Sequence, residues 1–447
     1  MSLTRRATSP YCLGRGGSAT DTREKYERFV NTSFTGGLEP IVVSRAQGAR
    51  VVADDGRSYI DCFAGISVVN AGHVHPKVRD AAKAQIDRLI HASSYTYYVE
   101  PVADLAERLA AVTPGRLQQT FFANSGAEGI EAAMRMAKSF TGRHEFIALE
   151  RSFHGRSVGT LSLTGNLSRK TRGGPYLPGV AFAPTPYPYR SRFAGDAEQI
   201  GLQTAAALED VIRFHTSGDV AAFIAEPVMG EGGIIVPPKS YLPSVKEILD
   251  KYGILLIADE VQCGFGRTGR LFAIEHFGVE PDILVSAKGI ADGFPLSATI
   301  ARPEIAQSFR PGEHLSTFGG NPVSCAAALA NLDVMLQEDL PGRAATLGAK
   351  ALEHLREGAR GLSQVGEVRG LGLMIGLELV KNRSSKVPDP ALAKAVRAYC
   401  REHGVLIGVG GVDANVLRLQ PPLVITESDL DQALDVVLAA VQQAVPA

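Results

Sequence analysis

The segment GILLIADEVQCGFGRTG, residues 253–269, decides the fold, because it has the pattern of a fully buried strand followed by a glycine-rich loop. Its apolar run ends on two adjacent acids, Asp259 and Glu260. A strand that is apolar on both faces is typical of a parallel sheet covered by helices. An unpaired carboxylate at the end of such a strand is costly, so the sequence predicts a cation beside one of these acids.

Two further apolar runs end on a charged residue. VAAFIAEP delivers Glu226 and PDILVSAKG delivers Lys288, and each lies about one β-α-β unit from Asp259 along the chain. Short apolar runs alternate with amphipathic helical stretches from about residue 76 to residue 300, which predicts a parallel sheet. The ligand crevice of such a sheet lies outside the carboxyl ends of its strands. We therefore expect all three charged groups to face one crevice.

Lys288 stands among small residues directly after a buried strand. Poor solvation would lower the pKa of its amine and suit it to Schiff-base chemistry, whereas a lysine that reaches solvent from the strand end is the plainer interpretation. Asp259 alone could equally cap a loop or a helix. Together, an amine and a buried acid are what pyridoxal phosphate needs, because the acid keeps its pyridinium nitrogen protonated. The pair predicts that cofactor.

The stretch FANSGAEGIEAAMRMAKSF predicts a helix that begins after Ser125, with Glu128 completing a capping box. Gly126 would let the phosphate of the cofactor approach the exposed amides at the start of this helix. A well-capped helix without any ligand explains the same pattern.

The stretch ERSFHGRSVGT carries an aromatic residue and a cation close together. Phe153 suits stacking against a planar ring, and Arg156 suits the binding of a carboxylate. Phe153 and His154 could equally be buried core residues.

Composition excludes several classes of function. In 447 residues, 46 Lys and Arg balance 47 Asp and Glu, so no basic surface for nucleic acid or for an acidic membrane is expected. No apolar run reaches the roughly 18 residues of a membrane span. The five cysteines are odd in number and lack CxxC spacing, and no HExxH pair occurs. We therefore predict neither a disulfide framework nor a metal site, and a cytoplasmic location.

Flanking segments predict further elements. Residues 49–66, ARVVADDGRSYIDCFAGI, have a hairpin pattern around an Asp-Asp-Gly turn. Residues 368–380, VRGLGLMIGLELV, have the pattern of one strand-like run with regular glycine interruptions, and Thr426 opens a C-terminal helix with Asp429 three residues later. No strand is followed by GxGxxG and no GxxxxGK[ST] occurs, which argues against a nucleotide-binding dehydrogenase or a non-catalytic nucleotide-binding module.

Six segments, in order along the chain, resemble the landmark segments of class III pyridoxal-phosphate aminotransferases of fold type I: NSGAEGIEAAMRMAK, SFHGRSVGTLSLTG, AEPVMGEGG, IADEVQCGFGRTG, SAKGIADGFPL and STFGGNPVSCAAA. The similarity extends from about Thr35 to the C-terminus. It implies an α/β fold, in which a large domain has a mostly parallel seven-stranded sheet covered by helices and a smaller domain is α+β. The implied division is a disordered or arm-like tail at 1–34, an N-terminal segment of the small domain at 35–75, the large cofactor-binding domain at 76–323 and the rest of the small domain at 324–447.

The resemblance also implies roles for individual residues. Lys288 would be the Schiff-base lysine that moves a proton between substrate and cofactor, Asp259 the partner of the pyridinium nitrogen, and Gln262 the partner of the ring hydroxyl. The expected cofactor site comprises Ser125, Gly126, Ala127, Phe153, Glu226, Asp259, Val261, Gln262, Lys288 and Thr317.

Two parts of this expected site concern the ring faces and the phosphate. Val261 and Phe153 would pack on opposite faces of the ring. Residues 125–127 would bind the phosphate together with Thr317 from a second subunit. The last role implies a homodimer with its sites at the subunit interface.

For the substrate, the branch resembled most is that of 4-aminobutyrate and ornithine aminotransferases. FAGISVVNAGHVHP is similar to the matching segment of the 4-aminobutyrate enzymes and places Ile66 at the pocket wall. Arg156 resembles an arginine that binds the distal carboxylate of an ω-amino acid. Glu231 and Arg418 resemble a gate, which is closed as an ion pair for the ω-amino donor and opens so that Arg418 can bind the α-carboxylate of a 2-oxo acid. A structural salt bridge is the plainer interpretation of that pair.

The resemblance predicts an enzyme that moves an amino group from a 4-aminobutyrate-like ω-amino acid to a 2-oxo acid, with 2-oxoglutarate preferred, in ping-pong half-reactions. Two alternatives stay open. TPYPYRSRF and EHFGVEPD also resemble a side branch that contains amino-acid racemases and epimerases, which move an α-proton with the same lysine. The acceptor could also be pyruvate or glyoxylate.

Overall fold

The computed structural model describes residues 21–33, 35 and 37–443. Its strands are β1 Val43–Gln47, β2 Arg50–Ala53, β3 Ser58–Asp61, β4 Gln119–Ala123, β5 Glu145–Leu149, β6 Val180–Ala183, β7 Val220–Ala225, β8 Leu255–Asp259, β9 Ile283–Ser286, β10 Ser297–Ala301, β11 Val365–Leu371, β12 Met374–Leu379, β13 Val405–Leu406, β14 Gly408–Gly410 and β15 Val416–Leu419.

The helices are α1 Thr22–Phe29, α2 Ala64–Ser67, α3 Pro76–Arg88, α4 Glu100–Val112, α5 Gly126–Thr141, α6 Val158–Leu163, α7 Ala197–Phe214, α8 Tyr241–Tyr252, α9 Pro303–Ala306, α10 Pro322–Gln337, α11 Leu340–Gly358, α12 Pro390–Glu402 and α13 Glu427–Gln443. One of the two four-residue helices, α2, is a single turn whose residues all have positive φ. Among the described residues, no helix is both long and apolar enough to cross a membrane.

The largest sheet has seven strands in the order β4-β10-β9-β8-β7-β5-β6. β5 to β9 run parallel to one another, and β10 is antiparallel to both of its neighbours. Every residue of β7, β8 and β9 is buried, as the continuous apolar runs predict. The predicted fold class, with a mostly parallel seven-stranded sheet, is confirmed.

Helices cover both faces of this sheet. On one face, the apolar side of α5 packs against the strands through Ile130, Ala133, Met134, Ala137, Ile257, Ile283 and Val285. On the other face, α7 and α8 contribute Leu208, Val245 and Leu249 to the main core, beside Leu256 and Leu284. Each fully buried Leu or Ile contributes about 1.5–3 kcal/mol relative to an exposed one. This double burial leaves the carboxyl ends of the strands as the polar part of the sheet.

Two four-stranded sheets flank the large one, in the orders β1-β2-β3-β13 and β11-β12-β15-β14. The hairpin predicted in residues 49–66 is present as the antiparallel pair β2 and β3. The single strand-like run predicted in residues 368–380 is wrong, because this segment forms the antiparallel hairpin of β11 and β12. Gly372 turns between them with φ of +55°, and a Cβ there would lie 2.4 Å from the carbonyl carbon of Thr268.

The predicted C-terminal helix is α13. The hydroxyl of Thr426 accepts a hydrogen bond from the amide of Asp429 at 3.0 Å, as the capping pattern requires. The apolar face is buried through Leu430, Leu434, Val437, Leu438 and Val441. Residues 1–20 of the predicted tail lie outside the described residues, and the described part of the tail includes α1, which buries none of its side chains. The domain boundaries at 35, 76 and 324 stay predictions.

Candidate active site

The three strand-end residues predicted from the sequence line one cavity of about 330 Å³. Glu226 follows β7, Asp259 ends β8 and Lys288 follows β9, and these three strands are neighbours in the sheet. Their parallel direction brings all three carboxyl ends to the same edge. We call these three residues the cavity floor.

Asp259 has a histidine as its side-chain partner. Its Oδ2 lies 2.7 Å from Nδ1 of His154, and both side chains are buried. Its Oδ1 accepts a hydrogen bond from the amide of Val261 at 3.1 Å. In the described part of the chain, Nε2 of His154 has no hydrogen-bond partner. The sequence predicted only a buried histidine at position 154, and the structure places its ring against Asp259.

The neighbouring acid, Glu260, has a different environment. Its side chain accepts hydrogen bonds from the amides of Ala273 at 3.0 Å and Ile274 at 2.7 Å, where a short 3-10 helix begins. Burial raises the pKa of Glu260 to about 7, although these amides oppose the shift. The two adjacent acids therefore have different surroundings. Asp259 lines the cavity, whereas Glu260 accepts hydrogen bonds from the start of the 3-10 helix Ala273–Phe277.

Glu226 connects two loops next to the cavity. Its Oε1 accepts a hydrogen bond from the amide of Phe153 at 3.1 Å, and its Oε2 accepts one from the amide of Gly230 at 2.8 Å. Burial raises the pKa of Glu226 to about 7, and the negative charge of Asp259 acts in the same direction. The carboxyl group thus holds the backbone of two separate loops, at Phe153 and at Gly230.

Lys288 has a left-handed backbone, with φ of +47°. Asn331 of α10 donates to the carbonyls of Gly289 at 2.8 Å and Ile290 at 2.9 Å, and so holds the turn that follows the lysine. A non-glycine residue in this region costs roughly 1–3 kcal/mol and persists only where its surroundings impose it. Burial lowers the pKa of the Lys288 amine, and Asp259 and Glu226 oppose this shift without cancelling it. The amine is therefore easier to deprotonate than an exposed one.

The N-terminus of α5 forms one wall of the cavity. The amide of Glu128 donates to Oγ of Ser125 at 3.3 Å, and the amide of Ser125 donates to the carboxylate of Glu128 at 2.9 Å, which is the predicted capping box. Ser125, Gly126 and Ala127 all line the cavity. A Cβ on Gly126 would lie 2.8 Å from a methyl group of Val261, so only glycine allows Val261 to pack this closely against the start of α5.

Further predicted residues stand at the walls. Phe153, Val261 and Gln262 line the cavity, and Oε1 of Gln262 accepts a hydrogen bond from Gln420 at 3.1 Å. Arg156 is exposed, and its guanidinium carbon lies 5.5 Å from the centre of the Phe153 ring. The arginine is thus close to the wall and accessible from solvent.

Glu231 and Arg418 form the ion pair predicted from the sequence, with 2.7 Å between Oε2 of Glu231 and Nη1 of Arg418. A second arginine, Arg169, binds the other carboxylate oxygen of Glu231. Burial pushes the pKa of Glu231 upward, but Arg418 and Arg169 outweigh it, so the pKa lies below its usual value. We call Arg169, Glu231 and Arg418 the gate cluster. Its third member was missed in the sequence.

Five predicted residues are not part of the lining of this cavity: Arg156, Glu231 and Arg418, described above, and Ile66 and Thr317. Ile66 is in the left-handed turn α2, with φ of +71°, and is 41% exposed. Thr317 is exposed in the segment before α10. The roles predicted for Ile66 and Thr317 stay predictions.

Residues 35–441 match the family model described as Aminotransferase class-III. The chain belongs to the class III aminotransferases. This membership and the fold confirm the predicted family and enzyme class.

Relatives of this class III aminotransferase carry several names. The acetylornithine aminotransferase of Methanothermobacter thermautotrophicus is 44% identical over 92% of this chain and 96% of its own. A probable 4-aminobutyrate aminotransferase of Bacillus subtilis is 36% identical over 94% and 97%, and the leucine/methionine racemase of Thermococcus litoralis is 38% identical over 92% and 93%. Among solved structures, the omega transaminase of Pseudomonas jessenii in complex with PMP has a TM-score of 0.87 and 30% identity, covering 96% of each chain.

Class III aminotransferases depend on pyridoxal phosphate, and the cavity of this one fits that group. Residues 125–127, at the N-terminus of α5, line the cavity, and the exposed amides of a helix N-terminus suit a phosphate. The floor offers an amine with a lowered pKa and a buried acid at the ends of neighbouring strands. An apolar side chain and an aromatic ring, Val261 and Phe153, line the same space. The donor set therefore matches a phosphorylated, planar heterocycle that carries an aldehyde.

Proposed function

We propose that this aminotransferase takes the amine from an ω-amino acid, such as 4-aminobutyrate or N-acetylornithine, and passes it to a 2-oxo acid, with 2-oxoglutarate preferred. The observation that carries the proposal is the buried ion pair of Glu231 and Arg418. A buried arginine that is neutralised inside the protein can accept a carboxylate in one half-reaction and be masked in the other. The names of the acetylornithine and 4-aminobutyrate relatives support an ω-amine as the donor.

The donor site would use Arg156. The donors have a primary amine at one end and a carboxylate several carbons away. Arg156 is exposed beside Phe153, where it can bind such a carboxylate while the amine enters the cavity toward Lys288. In the closed pair Arg418 is bound to Glu231, so it is not available to a carboxylate of the donor.

The cavity floor and walls would hold the cofactor. Residues 125–127 would bind its phosphate, Phe153 and Val261 would contact its ring, Gln262 would meet the ring hydroxyl, and Asp259 would keep the ring nitrogen protonated. Glu226 would act through the amide of Phe153, which it holds at 3.1 Å. When bound, pyridoxal phosphate supplies an electron sink for the carbon that bears the amine.

Lys288 would move the proton at that carbon. Burial lowers the pKa of its amine, so the neutral Nζ that acts as a base forms more readily than in an exposed lysine. The amine can take the proton from the amine-bearing carbon of the donor and, in the second half-reaction, deliver one to the carbon of the acceptor. The fixed turn after Lys288, held by Asn331, limits where the amine can reach.

A panel of donors and acceptors tests the substrate assignment. Each of 4-aminobutyrate, N-acetylornithine, ornithine, β-alanine and L-alanine is paired with 2-oxoglutarate, pyruvate and glyoxylate, and initial rates are compared. The proposal predicts that kcat/KM is highest for an ω-amino donor with 2-oxoglutarate. A preference for α-amino donors, or for pyruvate or glyoxylate as the acceptor, would contradict it.

A racemase or epimerase is the second candidate, and the racemase relative at 38% identity supports it. Such an enzyme needs the same lysine but no acceptor. Incubation of the holoenzyme with one L-amino acid and no 2-oxo acid distinguishes the two. Catalytic appearance of the D-amino acid would favour the racemase, whereas a single stoichiometric conversion of the cofactor favours the aminotransferase.

We propose a homodimer in which Thr317 completes the phosphate site of the partner subunit. Its loop exposes Leu315 and Phe318 at 59% and 62%, which is typical of a surface that a second chain covers. Light scattering on the purified holoenzyme should give twice the chain mass, and Thr317→Ala should weaken cofactor binding. A fully active monomer would contradict this arrangement.

We propose the cytoplasm as the compartment. Four cysteines within the described residues, Cys62, Cys263, Cys325 and Cys400, are buried free thiols. Buried free thiols are usual where the surroundings are reducing. Cell fractionation followed by immunoblotting checks the location, and recovery in an oxidising compartment would contradict it.

A further inference from the structure

Glu231 has two cationic partners rather than one. Its Oε2 lies 2.7 Å from Nη1 of Arg418, and its Oε1 is bound by Nη2 of Arg169. The side chain of Glu231 is 13% exposed and that of Arg418 is 5% exposed, whereas that of Arg169 is 32% exposed. The carboxylate of Glu231 therefore lies between the buried guanidinium of Arg418 and the partly exposed guanidinium of Arg169.

A gate made of two residues would be hard to open. If Arg418 left an isolated partner, Glu231 would remain buried without a cation, and a buried charge stripped of its partner is strongly destabilising. The second arginine changes this balance, because the two carboxylate oxygens are bound separately. Glu231 keeps a charge-assisted hydrogen bond to Arg169 when Arg418 turns away.

We infer that Arg169 is a specificity-determining residue, which keeps Glu231 paired while Arg418 binds the α-carboxylate of the 2-oxo acid acceptor. This inference rests on the proposed function and deepens it. Arg169 is a positioning residue, since it acts through Glu231 and not on the acceptor. Its role belongs to the acceptor half-reaction, in which the gate must be open.

The charges of the cluster favour an acidic acceptor. One carboxylate and two guanidinium groups leave one net positive charge. The Nε atoms of Arg169 and Arg418 are both buried and, across residues 21–33, 35 and 37–443, have no hydrogen-bond partner. When Arg418 turns away from Glu231, an incoming carboxylate can bind the freed guanidinium of Arg418 in a positive field.

The position of Arg169 is fixed by its local fold. It ends a 3-10 turn, Leu167–Arg169, which is capped by Asn166, whose side-chain oxygen accepts from the amide of Ser168 at 3.0 Å. Asn166 is buried. The guanidinium is thus held near Glu231 by a capped turn that starts from a buried residue.

The test separates the two half-reactions in the holoenzyme. Loss of the pyridoxal absorbance on addition of 4-aminobutyrate or N-acetylornithine reports the donor half-reaction, and its return on addition of 2-oxoglutarate to the pyridoxamine form reports the acceptor half-reaction. For Arg169→Ala we expect kcat/KM of the acceptor half-reaction to fall about tenfold, or 1.4 kcal/mol, mainly through KM. The donor half-reaction should fall by a much smaller factor.

Two further variants make the result decisive. Arg169→Lys should recover most of the acceptor rate, because an ammonium group can still neutralise Glu231. Arg172→Ala removes an exposed arginine from the same loop and should match the wild type in both half-reactions. If Arg169→Ala folds poorly, Arg169→Gln and Arg169→Lys carry the comparison.

The outcomes distinguish the inference from the function on which it rests. Equal losses in both half-reactions for the Arg169 variants, or an unchanged acceptor KM, would overturn the inference while the proposed function stands. A wild type that does not transfer amine from any ω-amino donor to 2-oxoglutarate overturns the proposed function, and the inference with it. A selective rise in the acceptor KM that lysine repairs supports both.

Discussion

The cavity floor and the gate cluster bind charged groups in two different ways. The floor residues, Glu226, Asp259 and Lys288, come from the ends of adjacent parallel strands, so the sheet alone sets their spacing. The gate residues come from a loop, a capped 3-10 turn and a strand of another sheet, and ion pairs join them across these separate elements. Under the proposed function, the fold would fix the chemistry, while side chains that can exchange partners would set the choice of substrate.

The largest loss of activity is expected from a substitution in the cavity floor, at Lys288. Under the proposed function, Lys288→Ala removes the base that moves the proton, and loss of a general acid-base group costs about 10²- to 10⁴-fold in rate. Both half-reactions should be lost together, as followed by the absorbance of the cofactor. Borohydride treatment of the wild type should leave the cofactor covalently attached at Lys288, as peptide mass mapping can show. A Lys288→Ala enzyme that keeps its turnover would remove the basis of the contrast.

The raised pKa of Glu260 predicts that the stability of the protein depends on pH. The folded pKa of Glu260, about 7, lies above the ordinary value of a carboxyl group. Between about pH 4.5 and 7 the folded state keeps a proton that the unfolded state has lost, so this group makes the stability fall as pH rises, by about 3 kcal/mol or less. Glu260→Gln should flatten this slope in denaturant titrations of the apoprotein. An unchanged slope would show that Glu260 is not the source.

His154 tests whether the floor needs support from behind. His154→Asn removes the partner of Asp259 at 2.7 Å and leaves a buried carboxylate less well paired, which costs about 1–3 kcal/mol. We expect weaker retention of pyridoxal phosphate and a shifted cofactor absorbance, with a lower kcat and little change in the donor KM. A raised donor KM at normal kcat would place His154 in substrate binding instead.

The smallest effect is expected at Arg156, the exposed residue proposed to bind the carboxylate of the donor. Arg156→Met keeps the apolar contact with Phe153 but removes the charge, and the donor KM should rise about tenfold, or 1.4 kcal/mol. High salt should reduce the difference from the wild type, because exposed charges are screened. The 2-oxoglutarate KM is the internal control. A change confined to the acceptor would transfer Arg156 to the other half-reaction.

The sequence predicts the floor well because its signals are local. A continuous apolar run followed by one charged residue identifies the end of a buried strand, and the order of the strands then brings Glu226, Asp259 and Lys288 together. The capping box at Ser125 is equally local, since both partners lie within one turn.

The residues that the sequence did not assign act over long separations. His154 lies 105 residues before Asp259, and Arg169 lies 62 residues before Glu231. No periodicity or spacing connects such pairs, because their contact depends on how separate loops pack. The hairpin of β11 and β12 was missed for a different reason: glycines that interrupt an apolar run are equally compatible with one irregular strand or with a tight turn.

The side chain of Glu226 connects the loop that carries Phe153 to the loop that carries Glu231. The two oxygens of Glu226 hold the amides of Phe153 and of Gly230, and Gly230 directly precedes Glu231. A single carboxyl group, which directly follows β7, thus joins the loop of Phe153 to the loop of Glu231. Substitution of Glu226 would release both amides at once, so it should loosen the loop of Phe153 and the loop of Glu231 together.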